Sequence, residues 1–213
     1  MDLHNAVKNA DVLRKMTPSE ALKLLKEGNQ RFLSKSPVER DHHWHIKQTI
    51  DAQHPFAIVL SCIDSRVMPS LIFDQGIGDL FVARIAGNIV NQDILGSMEY
   101  ACAVTGSKLI VVLGHTSCGA VKGAIDNVRM GNLTAALKPI KLAIAETNIK
   151  LKPDNQSSKN LDYVNSVAKE NVFLTIEDIK DESPILKDLY DKNQINIIGA
   201  MYDHSSGKVD FFD

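Results

Sequence analysis

Two five-residue apolar runs, Phe56-Ala57-Ile58-Val59-Leu60 and Leu109-Ile110-Val111-Val112-Leu113, each lead almost directly into a short cluster of metal-binding residue types. Cys62-Ile63-Asp64-Ser65-Arg66 follows the first run and His115-Thr116-Ser117-Cys118 the second. Runs of this length, rich in β-branched side chains, read as strands buried on both faces, which is the signature of a parallel sheet. Open α/β sheets bind ligands just beyond the carboxyl ends of such strands. Two neighbouring strands would therefore deliver Cys62, Asp64, His115 and Cys118 to one point.

The rest of the central chain fits the same architecture. A short helix at 69–73, a strand at 80–85 and a helix over 96–105 lie between the two runs, and this alternation is that of βαβ units. Thr17-Pro18-Ser19-Glu20 carries a hydroxyl cap, a proline at the first helical position and a glutamate that closes a capping box, and Gly28 reads as the end of that helix. A sparser helix over Asp2–Lys15 precedes it, and a polar stretch reaches Asp51. Beyond Cys118 the sequence predicts a helix over 120–126, mostly helical chain over 132–180 broken by a loop at 153–158, and a helix from Ser183-Pro184 to about Lys192. A strand at 195–202 and a hairpin partner at 208–212 close the chain. The expectation is an α/β fold with a mostly parallel central sheet flanked by helices, an N-terminal helical arm (1–35) and a C-terminal antiparallel strand. All of it is read as one domain, 1–213, with its α/β core in 52–213.

Composition narrows the partners. The 213 residues carry a formal net charge of -2 and no basic stripe among 24 Lys and Arg, so a nucleic-acid surface is not expected. No apolar stretch is long enough to span a membrane, and Met1–Lys15 is interrupted by Asp2, Lys8 and Asp11 rather than forming a signal-peptide core. A cytoplasmic protein acting on a small molecule is expected. In that setting Cys62, Cys102 and Cys118 stay reduced, which favours metal or catalytic use over a disulfide.

Zinc takes Cys sulfur, His nitrogen and carboxylate oxygen, and three protein ligands plus one exchangeable position define a catalytic centre. Cys62, His115 and Cys118 supply three. Asp64 is either a fourth ligand, which plugs the site, or the partner of Arg66 in a bidentate pair, which leaves a corner for water. Zinc brings the ionisation of bound water down to about pH 7, so the open form would generate hydroxide that Asp64 can orient. Two rival readings are a structural zinc knot and a Cys-His nucleophile pair. The first fits poorly with clusters so far apart in sequence, and the second leaves Asp64 and Arg66 without a role.

At these residues the chain closely resembles the β-class carbonic anhydrases. The resemblance is carried by Cys62-Ile-Asp-Ser-Arg66, Arg84-Ile-Ala-Gly-Asn88, Glu99-Tyr100 and Gly114-His115-Thr-Ser-Cys118-Gly119, with outlying matches at Gly28-Asn29-Gln30-Arg31-Phe32 and Tyr202-Asp203. It implies zinc-dependent, reversible hydration of carbon dioxide to bicarbonate and a proton by zinc hydroxide attack. Zinc ligands would be Cys62, His115 and Cys118, with Asp64 as an occasional fourth and Asp64-Arg66 as the catalytic dyad. It further implies a substrate pocket of Gln53, Phe81 and Tyr100 with the main-chain N–H of Gly119, built across the interface of a homodimer or homotetramer. Val59 stands where some members carry a regulatory Trp, so a self-closing bicarbonate site is not expected. Alternatives with the same metal are a carbon disulfide or carbonyl sulfide hydrolase and a non-catalytic bicarbonate-responsive module.

Other groups have plainer readings. His42, His43 and His45 around Trp44 read as solvated surface or subunit contact before a second metal site. Cys102 reads as buried apolar filling.

Overall fold

The computed structural model describes residues 7–212. Its strands are β1 (Ala57–Ser61), β2 (Leu80–Arg84), β3 (Leu109–His115), β4 (Asn196–Tyr202) and β5 (Val209–Phe212), joined in one sheet of order β2-β1-β3-β4-β5. The first three pairings are parallel, and β5 returns antiparallel to β4. Helices α1 (Ala10–Lys15), α2 (Pro18–Leu33), α3 (His42–Gln48) and α4 (Pro69–Ile72) precede β2; α5 (Gln92–Glu99) follows it and runs into a π-helical turn at Tyr100–Val104. Helices α6 (Gly119–Ile125), α7 (Gly131–Ala136), α8 (Ile140–Leu151), α9 (Leu161–Glu182) and α10 (Pro184–Asp191) lie between β3 and β4. None of these helices is long and apolar enough to cross a membrane.

The two apolar runs are continuous because both sheet faces are covered. Val59, Val111 and Leu113 pack with Leu13 of α1, its C-cap Met16, and Leu24 and Leu25 of α2. The alternate residues Ile58, Leu60, Ile110 and Val112 pack on the other face with Leu95, Met98, Val172, Ile176 and Leu186. Period-two alternation thus sends successive residues into different cores, and each fully buried branched side chain contributes roughly 2 kcal/mol. β2, at the sheet edge, is covered less well, and Val82 is 39% exposed.

Three local expectations need correction. Gly28 does not end α2: a Cβ there would sit 1.8 Å from the Phe73 carbonyl oxygen, so the glycine marks close helix-to-loop packing. The helix ends at Leu33, where left-handed Lys35 (φ 55°) lets Ser36 N–H donate to Arg31 C=O at 3.0 Å. The polar stretch before Asp51 contains α3, whose N-cap Asp41 accepts from Trp44 N–H at 3.0 Å. The helix expected from Gly96 begins at Gln92, capped by Asn91, and closes as a π turn rather than as regular α-helix. The expected helix over Asp2–Lys15 falls partly outside the described residues; its last turns form α1.

Candidate metal centre

The strand register brings the two clusters together. Ser61 of β1 lies level with Leu113 of β3, so β3 continues as Gly114 and His115 beside the chain leaving β1 through Cys62. Gly114 is demanded by packing here, since a Cβ would lie 2.7 Å from Val172 Cγ2 of α9 and 2.6 Å from Met201 Sδ. Left-handed Ser117 (φ 55°), its N–H donating to Asn165 Oδ1 at 2.8 Å, turns the chain back so that Cys118 faces His115. Cys118 then opens α6.

As a result one donor atom from each of Cys62, His115 and Cys118 lies within 4.8 Å of the other two, with all three residues buried. His115 Nδ1 sits 3.0 Å from the Thr116 carbonyl, which fixes the tautomer with the proton on Nδ1. Its Nε2 is buried with no hydrogen-bond partner. A buried lone pair beside two sulfurs is a cost without a metal and a ligand with one. Cys62 Sγ accepts from the N–H of Gly87 at 3.4 Å. The Cys118 thiol donates to Cys62, which draws the Cys62 thiol down to about 4 against the opposing effect of burial and pushes Cys118 up. The donor set and its geometry fit zinc.

Asp64 stands next to this trio, engaged with Arg66 by Nε to Oδ1 at 2.9 Å and Nη2 to Oδ2 at 2.8 Å. The Arg66 main-chain N–H adds a third bond to Oδ1 at 3.0 Å. These bonds hold the Asp64 carboxyl below the usual carboxylate range. Arg84 donates to the carbonyls of Cys62 (3.1 Å) and Asp64 (2.6 Å), tying β2 to the loop that carries the first cluster. Gly87 (φ 77°) and Asn88 (φ 44°) shape the turn after β2, and Asn171 on α9 donates to the Gly87 carbonyl at 2.8 Å.

Not every residue expected at the site lies beside the sulfurs in this single chain. Phe81 and Tyr100 meet edge to face at 6.2 Å and line a groove of about 810 Å³ with Ile58, Gln92 and Ser97, which includes none of the trio. Gln53 lines a different hollow with His54 and Thr105. Gly119, at the first turn of α6, is exposed and faces open space. One residue that sequence reasoning missed does lie at the centre: His204, two residues past β4, whose ring sits 4.8 Å from that of His115. Burial pushes the His204 imidazole below the ordinary histidine value. The adjacent match at Tyr202-Asp203 was the only sequence signal near it. His42, His43 and His45 form no metal-holding group among the described residues, and His45 is buried in α3. Burial pushes the Cys102 thiol up to about 12, consistent with inert filling.

Comparison with known proteins matches residues 57–209 to the family described as Carbonic anhydrase. "Carbonic anhydrase 2" of Mycobacterium tuberculosis is 34% identical over 199 residues, which cover 90% of this chain and 91% of that protein. A carbonic anhydrase of Synechococcus elongatus is 33% identical over 88% of this chain and 70% of its own length. Among solved structures, a tetrameric β-carbonic anhydrase from the ascomycete Sordaria macrospora superposes with a TM-score of 0.70 at 25% identity, covering 80% of this chain and 90% of that one.

Proposed function

The chain belongs to the β-class carbonic anhydrases, and from that membership we propose that it catalyses the zinc-dependent, reversible hydration of carbon dioxide to bicarbonate and a proton. The observation that carries this reading is the buried convergence of Cys62, His115 and Cys118 beside an Asp64 whose two carboxylate oxygens are both engaged by Arg66. Cys62, His115 and Cys118 would hold the metal. Zinc in such a centre supplies the Lewis acidity that makes water nucleophilic near neutral pH.

The protein groups then have separate tasks. Arg66 spends its fork on both oxygens of Asp64, which keeps that carboxylate ionised and out of the ligand trio. Asp64 accepts a hydrogen bond from the reacting water and so aims its lone pair, without taking the proton itself, since its affinity for protons is suppressed. Carbon dioxide adds the oxygen, bicarbonate leaves, and the released proton goes to buffer. Arg84 and the Gly87 N–H hold the loop and the sulfur in register.

The substrate pocket, in this reading, is completed between subunits. Phe81 and Tyr100 lie on or next to the half-covered edge strand, and Gln53 is exposed. A homodimer or homotetramer, as in the tetrameric relatives from Sordaria macrospora, would set these residues of the partner subunit against the metal centre, with the Gly119 N–H as a further donor to bicarbonate. Three unpaired cysteines support a reducing, cytoplasmic setting.

Stopped-flow hydration measured together with metal content tests the proposal. We expect one zinc per chain, activity that disappears on exhaustive chelation and returns with zinc, and a Cys118→Ser variant with neither metal nor activity. Full activity after verified metal removal would refute it.

A further inference from the structure

His204 presents a problem that the mechanism above leaves untouched. Both of its ring nitrogens are buried and neither has a hydrogen-bond partner. Its backbone is firmly held: the His204 N–H donates to Thr116 Oγ1 at 3.1 Å, and the Thr116 N–H donates to the Tyr202 carbonyl at 3.0 Å. The ring is fixed as well, tilted at 58° against His115 and packed edge-on to Tyr202 at 5.3 Å. An imidazole pinned this tightly with two idle polar atoms has lost their hydration without compensation, a cost that a phenyl ring in the same place would not bear. Buried polar atoms without partners call for a group that binds there.

Two roles can be separated by position. A fourth protein ligand would have to group with both sulfurs, whereas His204 groups with Asp64 and His115, its donor atom within 4.8 Å of a donor atom of each. Asp64 and His204 therefore both lie beside His115, one step out from the ligand trio. Asp64, ionised and held by Arg66, offers only an acceptor. A neutral imidazole offers one N–H, the complementary donor.

Resting on the hydration reading, we propose that His204 is a further substrate-contacting residue of this enzyme, its ring N–H donating to the reacting oxygen and then to bicarbonate while Asp64 accepts from the opposite side. No proton changes hands in this role. The oxygen is held between one acceptor and one donor, which fixes its lone pair more tightly than Asp64 alone can.

The test uses the cobalt-substituted full-length protein, with bicarbonate affinity read from the visible spectrum, beside hydration rates of the zinc form. His204→Phe keeps the ring packing and removes the donor; His204→Gln removes the ring and keeps an N–H donor. We expect both to retain metal and the thiolate-to-cobalt bands, His204→Phe to bind bicarbonate about tenfold more weakly, and His204→Gln to stay within about threefold of wild type. The reverse order, Phe near wild type and Gln impaired, would overturn the proposal in favour of simple packing. Loss of metal in both variants would overturn it too, by making the ring part of the ligand cradle. Failure of the hydration reading itself shows separately, as a wild-type zinc protein without hydration activity.

Discussion

Asp64 and Asp74 are both aspartates clasped by arginine, and they are built for opposite ends. Asp74 has a left-handed backbone (φ 45°) and a side chain only 6% exposed; it receives Arg31 and Arg40 together, with the Val38 N–H donating to it at 3.2 Å. Burial pushes its carboxyl up, and the two arginines more than offset that, so it remains below the ordinary value. Asp64 has one arginine, whose side chain is 58% exposed. The first pair locks α2 and the segment after it to the loop following α4. The second keeps one side chain charged and oriented beside Cys62, His115 and Cys118 while leaving its arginine in solvent. Charge state does not distinguish them; the number of partners and their access to water do.

Substitution of each carboxylate should pull the two roles apart. The largest effect is expected from Asp64→Asn: zinc content and thermal stability stay near wild type, while hydration falls about a thousandfold, because an amide cannot accept from water and hold Arg66 as a carboxylate does. Stopped-flow rates and metal analysis on one preparation check it, and an unchanged rate removes Asp64 from the mechanism. Asp74→Asn should show the converse. Two arginines lose their counter-charge in a largely buried place, so unfolding free energy measured in urea drops by about 3 kcal/mol, with activity per folded molecule unaltered. A variant that kept its stability but lost activity would dissolve the contrast.

The smallest expected effect is a null one, in pH. Both carboxyls are depressed, so the stabilisation each gives is fully present above the ordinary unfolded value of about 3.9 and is lost only as pH falls through the lower folded value. Carboxyl carbon shifts followed by NMR should therefore stay flat for both residues from pH 9 down to about 5. An Asp64 inflection near neutrality would mean that its pairing with Arg66 is loose, and the comparison would have to be redrawn.

Much of the fold was legible because it follows from short-range rules. β1 and β3 announce themselves as unbroken apolar runs since α1 and α2 cover one face and α5, α9 and α10 the other. Their carboxyl ends carry Cys62 and His115, so the trio followed from the topology. Gly28 misled because a glycine that admits a neighbouring carbonyl looks in sequence like one that ends a helix. The π turn at Tyr100–Val104 leaves no periodic trace. The Asp74 clasp depends on groups more than thirty residues away, and His204 depends on which strand lies beside β3; neither relation is written in local pattern. Gln53, Phe81 and Tyr100 came from resemblance alone, and a single chain holds them apart from the sulfurs.

The trio draws its members from both sides of a complete crossover, since β2 and α5 separate Cys62 from Cys118 in the chain. A nascent polypeptide that has emerged only as far as Cys62, just past β1, therefore offers one isolated thiol and no cradle. If the three hold a metal as proposed, its capture would wait until β3 has been synthesised and zipped against β1, tying loading to assembly of the sheet.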